Sequence, residues 1–252
     1  MTYYDDLVND KKRVSAFKKA IDAKANGITY DLGTGSGILA TIASENADIV
    51  YAIESNPLIL KKTRSNFKDY DNINLIKTDA TCYEFREIPD TIICEMLDTA
   101  LIDEEQIPVI NNAHKYSNNK TIFIPQGVKN TIKLTNSKIN YIQYYEDGYP
   151  KHEVLSDEVE YSTIDFTQIN DENVDITVKL KATKDGIINS VMITTYTHLC
   201  DDLTIEPTPM LNPPLIIPVN HIDVKKDDVI DVHLKYIMGG GLNTIQTTIM
   251  RN

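Results

Sequence analysis

The 252-residue sequence contains no tryptophan and only three cysteines, Cys82, Cys94 and Cys200. Because three is an odd number and the spacing fits no metal site, neither a disulfide framework nor a cysteine-bound metal is expected. The five histidines share no ligand spacing either. Free thiols are typical of a reducing compartment, and the first residues lack the basic and apolar segments of a secretory signal. These absences predict a cytoplasmic protein without a metal site.

The chain also lacks long apolar runs and a surplus of basic residues. No stretch approaches the roughly 20 apolar residues of a membrane helix, so no membrane association is expected. Lysine and arginine number 25 against 37 acidic residues, which gives a net charge of −12. The longest basic run is Lys11, Lys12 and Arg13. Such an acidic surface disfavours a nucleic-acid partner and favours a basic protein or another cationic group.

The first half of the chain alternates between strand and helix patterns. Short apolar runs typical of buried strands occupy residues 28–32, 49–53, 73–77, 91–94 and 121–124. Helical spacing of apolar residues occurs between them, over 11–25, 38–47, 57–67 and 104–116. Alternation at these lengths predicts an α/β domain over residues 1–125, with a parallel sheet and helices on both faces.

The pattern changes after Pro125. Apolar and polar residues alternate over 174–181 and again over 230–236, which is the period of a half-buried strand. The dipeptide Asp185-Gly186 predicts a hairpin whose returning strand covers 187–197. Glycines at 239–241 predict a turn before a last strand over 245–250. Residues 126–252 are therefore expected to form an antiparallel β domain.

A glycine-rich segment separates the first predicted strand from the next helix. It contains Asp31, Gly33, Thr34, Gly35 and Gly37. Glycines at such a turn let a ligand approach the backbone closely. A plain strand-to-helix turn would use the same residues, so the segment needs support from elsewhere in the sequence.

Two acidic residues at the ends of the next strands supply that support. Glu54 lies 21 residues after Gly33, where a carboxylate can accept hydrogen bonds from both ribose hydroxyls of a nucleotide. Asp79 ends the third strand and either faces an adenine amino group or forms a polar turn. These positions meet at the carboxyl edge of the sheet, where ligands bind in open α/β folds.

This block resembles the S-adenosyl-L-methionine site of class I methyltransferases. Acidic neighbours such as Asp31 suit a ligand with a sulfonium and an amino group. The N-terminal segment resembles the opening helix of the protein arginine methyltransferases, with Arg13 followed by Phe17 and by Ala20-Ile21. In that family the arginine binds the carboxylate of the cofactor's methionine part, a role that the resemblance assigns to Arg13.

The segment after the fourth strand extends the resemblance. Glu95 follows that strand and Glu104 comes nine residues later, as do the two glutamates of the arginine methyltransferases. In that family the two carboxylates hold and polarise the guanidinium of the substrate. The resemblance therefore implies that Glu95 and Glu104 are catalytic residues, which position a nitrogen for in-line transfer.

The resemblance also implies the architecture. The arginine methyltransferases place an antiparallel β-barrel after a Rossmann-like domain, through an Ile-Pro link like Ile124-Pro125. Three features differ here. Leu97, Asp98 and Thr99 follow Met96 where the family has Met-Gly-Tyr after the first glutamate. Pro209, Met210 and Leu211 replace a Thr-His-Trp loop, and the short chain leaves room for only a remnant of the dimerisation arm over 141–150. A monomer or a weak dimer is expected.

Together these features predict an S-adenosylmethionine-dependent methyltransferase of the arginine-methyltransferase type that modifies a protein side chain. Three alternatives stay open at this point. The same scaffold also serves RNA methyltransferases, although the charge argues against RNA. A small-molecule methyltransferase and a non-catalytic cofactor-binding scaffold are compatible with the altered acceptor region.

Overall fold

The computed structural model describes residues 3–251, with side chains from residue 6 onward. Its N-terminal half contains helices α1 (Tyr3–Asn9), α2 (Lys11–Lys24), α3 (Ile38–Ala43), α4 (Pro57–Asn66) and α5 (Gln106–His114). The strands are β1 (Gly27–Leu32), β2 (Ala47–Glu54), β3 (Ile73–Lys77), β4 (Thr91–Cys94) and β5 (Ile122–Ile124). They pair in the order β3-β2-β1-β4-β5, and all pairs are parallel. The predicted α/β sheet is thereby confirmed.

Burial explains the continuous apolar sequences of the central strands β1 and β4. All four residues of β4 are buried, as are Tyr30 and Leu32 of β1, because helices cover the sheet. Strand order reverses between β1 and β4, and this switch point leaves a crevice at their carboxyl ends. No helix within residues 3–251 has the length and apolar character needed to cross a lipid bilayer.

Two helix boundaries differ from the prediction. The helix predicted over 38–47 ends at Ala43, because Ser44 closes it by donating its hydroxyl to the Thr41 carbonyl at 2.7 Å. The chain then turns and enters β2 at Ala47. The helix predicted over 104–116 covers only Gln106–His114, since the residues before it belong to an ordered loop described below.

The C-terminal half is antiparallel, as predicted. Its strands are β6 (Gly127–Ser137), β7 (Gln143–Tyr144), β8 (His152–Val154), β9 (Val159–Asp165), β10 (Asn173–Lys181), β11 (Gly186–Cys200), β12 (Leu203–Ile205), β13 (Leu215–Val224), β14 (Val229–Ile237) and β15 (Gln246–Arg251). One sheet follows the path β7-β13-β11-β6-β8, with β12 on β11 and β9 on β6, and a second contains β10, β14 and β15. Across the described residues these two sheets do not join into a closed barrel, contrary to the expectation from the resemblance.

The hairpin predicted at Asp185-Gly186 is wrong. β10 pairs with β14, whereas β11 pairs with β13 and places Gly186 opposite Val224. The Asp185 carboxylate instead accepts hydrogen bonds from the Lys226 N–H at 2.8 Å and the Lys225 ammonium at 3.0 Å. Asp185 therefore fastens its loop to the turn between β13 and β14, and the chain crosses from one sheet to the other.

Candidate functional site

A cavity lies at the carboxyl ends of β1, β2 and β4. Of the residues that the sequence singled out, it is lined by Arg13, Asp31, Gly33, Thr34, Gly35, Glu54, Asp79, Glu95 and Glu104. The remaining one, Gly37, does not line the cavity. The parallel sheet thus brings together side chains that are separated by up to ninety-one positions in the sequence, from Arg13 to Glu104.

The glycine-rich segment shapes one wall of this cavity. Gly33 has a φ of 74°, in the left-handed region, and a Cβ there would lie 2.8 Å from the Met96 side chain. Gly37 has a φ of 82° and precedes α3, where a Cβ would lie 2.4 Å from the Phe67 ring. Gly33 therefore allows close packing beside the cavity, and Gly37 serves the turn and its packing.

Asp31 is a buried carboxyl on the cavity wall. It accepts a hydrogen bond from the Thr34 hydroxyl, and both residues are almost inaccessible to solvent. Burial raises the pKa of Asp31 to about 6, although the hydrogen bond from Thr34 opposes this rise. A cationic ligand beside Asp31 would favour its ionised form.

Glu54 is fixed by the backbone around it. Its two carboxylate oxygens accept hydrogen bonds from the Gly35 N–H at 3.0 Å and the Asn56 N–H at 2.8 Å. A carboxylate offers about four acceptor sites, so two remain for hydroxyl groups of a ligand. Asp79 lines the cavity and also forms a polar turn, because its carboxylate accepts from the Thr81 N–H and hydroxyl. The polar turn is therefore confirmed, and a contact of Asp79 with adenine stays a prediction.

The structure joins Arg13 and Glu95 in an ion pair. The Arg13 Nη1 lies 2.5 Å from the Glu95 Oε2, and its Nη2 donates to the Leu7 carbonyl at 2.9 Å. Only 2% of Arg13 is exposed, and its Nε has no hydrogen-bond partner among the described residues. The sequence analysis assigned Arg13 to the cofactor and Glu95 to the acceptor. The ion pair therefore connects the two predicted parts of the site.

Acidic groups dominate the cavity. Among the described residues that line it, Arg13 is the sole cation, against six acidic residues: Asp31, Glu54, Asp79, Glu95, Glu104 and Glu105. Burial raises the pKa of Glu95 to about 7, with the Arg13 charge acting in the opposite direction. Part of Glu104 is exposed to solvent, but desolvation of its carboxyl by the surrounding protein and then the charges of Asp103 and Glu105 raise its pKa. Such a cavity attracts a cation and repels an anion that cannot reach Arg13.

Asp98 is a buried residue of the candidate site's loop that the sequence interpretation did not assign to the site. It is buried between the two glutamates and accepts the backbone N–H groups of Ile102 at 3.2 Å, Asp103 at 2.9 Å and Glu104 at 3.2 Å. Burial raises its pKa to about 7, although these hydrogen bonds oppose the rise. Asp98 therefore folds the segment between Glu95 and Glu104 into a defined loop. The sequence signal was present, because an aspartate lies inside an apolar stretch.

Gln106 is a second residue that was missed. Its side-chain amide donates to the Cys94 carbonyl at 2.9 Å, and its oxygen accepts the Met96 N–H at 2.9 Å. These two bonds lie on either side of Glu95 and fix its backbone. A fully buried glutamine at the start of a helix gives no sequence pattern that distinguishes it from a surface residue.

The antiparallel half holds the same loop from the other side. The Thr99 hydroxyl donates to the Pro213 carbonyl at 2.6 Å, and the Ala100 N–H donates to the Thr195 hydroxyl at 2.8 Å. Next to Pro209, Met210 and Leu211, which the sequence analysis compared with the Thr-His-Trp loop, Thr208 donates its hydroxyl to Asp10, the residue that caps α2. The two halves therefore jointly position Arg13 and the loop with the glutamates.

Comparison with known proteins identifies full-length relatives. No model of a known protein family matches the chain. An uncharacterized protein of Methanothermobacter thermautotrophicus is 40% identical over 249 residues, covering 98% of this chain and 97% of the relative. Uncharacterized protein MJ1452 of Methanocaldococcus jannaschii is 37% identical over 255 residues, covering 98% and 96%. The chain belongs to the protein family that these archaeal proteins represent.

A second group of relatives matches only part of the chain. Protein arginine N-methyltransferase 7 of Gallus gallus is 31% identical over 131 residues, which are 45% of this chain and 19% of that protein. The protein of the same name from Mus musculus is 30% identical over the same length. The chain thus shares a partial similarity with arginine methyltransferases and spans about a fifth of their length.

Proposed function

We propose that this protein is an S-adenosylmethionine-dependent methyltransferase that modifies a protein side chain, with the arginine guanidinium as the favoured acceptor. The observation that carries the proposal is the Arg13–Glu95 ion pair at the carboxyl edge of the parallel sheet, with Glu104 lining the same cavity. The partial similarity to protein arginine N-methyltransferase 7 supports it. The proposal assigns cofactor binding mainly to residues 1–125 and support of the acceptor loop to residues 126–252.

The residues present fit the cofactor. The buried Arg13, with an Nε that lacks a partner, would bind the carboxylate of the methionine part. Glu54 would accept hydrogen bonds from the ribose hydroxyls through its two remaining acceptor sites, and Asp79 would lie toward the adenine. Asp31, Gly33, Thr34 and Gly35 would surround the part that carries the amino group. When bound, S-adenosylmethionine would supply a methyl group on a positively charged sulfur.

The two glutamates would hold the acceptor. An ionised Glu95 and Glu104 would accept N–H groups of a guanidinium and orient its attacking nitrogen toward the methyl group. Their negative charge would also balance the charges of two cationic ligands brought into one cavity. Because Glu95 is paired with Arg13, cofactor binding would also influence how Glu95 contacts the acceptor.

We further propose that the enzyme works in the cytoplasm, on a protein partner, as a monomer or a weak dimer. The net charge of −12 favours a basic protein and disfavours nucleic acid. Incubation with labelled S-adenosylmethionine and a lysate of the source organism tests the partner. Label that protease releases and ribonuclease leaves in place supports the proposal. Label released only by ribonuclease, or found in the small-molecule fraction, would replace the protein by the corresponding acceptor.

The substitution Glu95→Gln tests the role of the ion pair. We expect turnover to fall about a hundredfold, because a neutral amide binds and polarises a guanidinium poorly. Cofactor affinity, measured by isothermal titration calorimetry, should stay the same or increase, because Arg13 loses a charged competitor for the cofactor carboxylate. Glu84→Gln, at an exposed position outside the cavity, is the matched control. A collapse of cofactor affinity with Glu95→Gln would make Glu95 a cofactor or structural residue instead.

A further inference from the structure

Helix α2 has a concentration of basic residues that the proposed activity does not explain. Its 14 residues contain five lysines and Arg13 but one acidic residue, Asp22. Arg13 points inward to the cavity, Lys18 pairs with Asp22 at 3.0 Å, and Lys24 pairs with Asp201 at 2.7 Å. The other three lysines are exposed and have no ion-pair partner among residues 6–251: Lys11, Lys12 and Lys19.

These three lysines share one groove, which we call the α2–β12 groove. It is formed by Lys11, Lys12 and Lys19 together with Ser15 and Ala16 on α2, and by residues 203–206 on the side of β12. Leu203 is partly exposed and Ile205 is mostly buried, so the groove offers apolar surface beside the ammonium groups. It is separate from the cavity described above, because the two share no lining residue.

The three lysines of the groove differ from lysines elsewhere on the surface that are paired with carboxylates. The chain has 37 acidic residues against 25 basic ones, and several exposed lysines contact a carboxylate. Examples are Lys179 with Asp231, Lys181 with Asp227 and Lys225 with Asp185, at 2.7 to 3.0 Å. Three lysines that lack such a partner and lie around an apolar surface form a local exception to the acidic field of the molecule.

We propose that the α2–β12 groove binds an acidic peptide segment of a partner protein. The lysines would pair with its carboxylates, and its apolar side chains would contact Leu203 and Ile205. A nucleic acid fits less well, because its backbone is charged at every nucleotide, whereas a peptide can place apolar side chains on Leu203 and Ile205 and avoid a charge beside Glu206. The groove is on the outer side of the helix whose inner side supplies Arg13, so the inference stands independently of the methyltransferase activity.

Fluorescence anisotropy of a short labelled peptide of repeated Glu-Asp-Leu units tests the proposal with the full-length protein. We expect binding that weakens with salt, and at least about tenfold weaker binding to the triple variant K11E/K12E/K19E, since three exposed ion pairs are lost. The matched control is K61E/K120E/K151E, which makes the same change in net charge at exposed lysines outside the groove. Thermal melts of both variants check that they fold.

Four outcomes would overturn the proposal. Equal weakening by both triple variants would show that net charge, and not the groove, governs binding. Tighter binding of an oligouridylate than of the acidic peptide would make the groove a nucleic-acid site. Self-association that only K11E/K12E/K19E abolishes, without peptide binding, would make it an interface between copies of this chain. A peptide of repeated Lys-Lys-Leu units should not bind, and its binding at equal strength would also exclude the proposal.

Discussion

At the scale of single residues, Arg13 is the centre of the candidate site. Its guanidinium contacts the Glu95 carboxylate and the Leu7 carbonyl, and the Nε is left for another acceptor. A planar group with several donors can serve such contacts at once, whereas an ammonium is a single point charge. The resemblance to the arginine methyltransferases implied that Arg13 contacts the cofactor. The pairing with Glu95 follows only from the fold, because 82 positions separate the two residues.

The substitution Arg13→Lys tests this interpretation. We expect the dissociation constant for S-adenosylmethionine to rise about tenfold to a hundredfold, because one or two charge-assisted hydrogen bonds are lost. Isothermal titration calorimetry measures the affinity, and a thermal melt reports whether the loss of the Leu7 contact destabilises the fold. Lys24→Arg makes the reverse change near the end of the same helix and should have no effect. Unchanged affinity in Arg13→Lys would remove Arg13 from the cofactor site.

At the scale of structural elements, the loop between Glu95 and Glu104 determines where the two carboxylates lie. Ala100 and Leu101 have φ values of 60° and 62°, a left-handed conformation that residues with a side chain rarely adopt. Contacts on both sides maintain it, including Asp98 within the loop and Thr195 from the antiparallel half. Rare backbone conformations persist where the surroundings determine them strongly, and they are frequent at functional sites.

Asp98→Asn should weaken the positioning of Glu104. One oxygen becomes an amide nitrogen that cannot accept an N–H, so we expect turnover to fall about tenfold to a hundredfold with cofactor affinity unchanged.

In the wild type, turnover should rise with pH through about 7, because the pKa values of Glu95 and Asp98 are both raised to about 7 by burial. The variant retains only the Glu95 titration, so its pH profile should be less steep. Asp103→Asn, an exposed neighbour, is the control, and identical profiles in wild type and Asp98→Asn would contradict the positioning role.

Prediction from the sequence succeeded where the signal is local. Strands β3 and β4 have the predicted bounds, and all four residues of β4 are buried, as expected of a parallel strand with an unbroken apolar run. It failed where partners are distant in the sequence. The loop at Asp185 contains a frequent hairpin dipeptide, yet Lys225 and Lys226 attract its carboxylate to another turn. Asp98 was not assigned to the site, because its position inside an apolar stretch indicates burial but not the hydrogen bonds that it accepts within the loop.

At the scale of the whole molecule, the protein has acidic side chains in its interior as well as on its surface. Three carboxyls of the cavity region, Asp31, Glu95 and Asp98, have pKa values that burial raises to between about 6 and about 7. Arg13 compensates only Glu95 directly. Ionising the other two in a folded chain without ligands therefore costs free energy, and a cationic ligand would reduce that cost.

This cost predicts how the stability of the ligand-free protein depends on pH. A carboxyl whose folded pKa exceeds its unfolded pKa binds more protons in the folded state, so the free energy of unfolding decreases as pH rises between about 4 and about 7. Paired surface carboxylates such as Asp175 and Asp227 have lowered pKa values, owing first to hydrogen bonds from His233 and Lys181, and they lose their contribution only at lower pH. We therefore expect the melting temperature to be higher at pH 5.5 than at pH 8, by roughly 5 °C.

Repulsion between surface charges, at a net charge of −12, also lowers the melting temperature as pH rises. Variants are therefore needed to distinguish the effect of the buried carboxyls from that of the surface. Asp98→Asn removes a buried titrating carboxyl and should reduce the difference in melting temperature between the two pH values. Asp48→Asn removes an exposed carboxyl and changes the net charge equally, so it should leave the difference nearly unchanged. Equal effects of the two variants in differential scanning calorimetry would assign the pH dependence to the surface. A melting temperature that rises with pH would contradict the raised pKa values of the buried carboxyls. It would also contradict the expectation that a cationic ligand stabilises the acidic cavity.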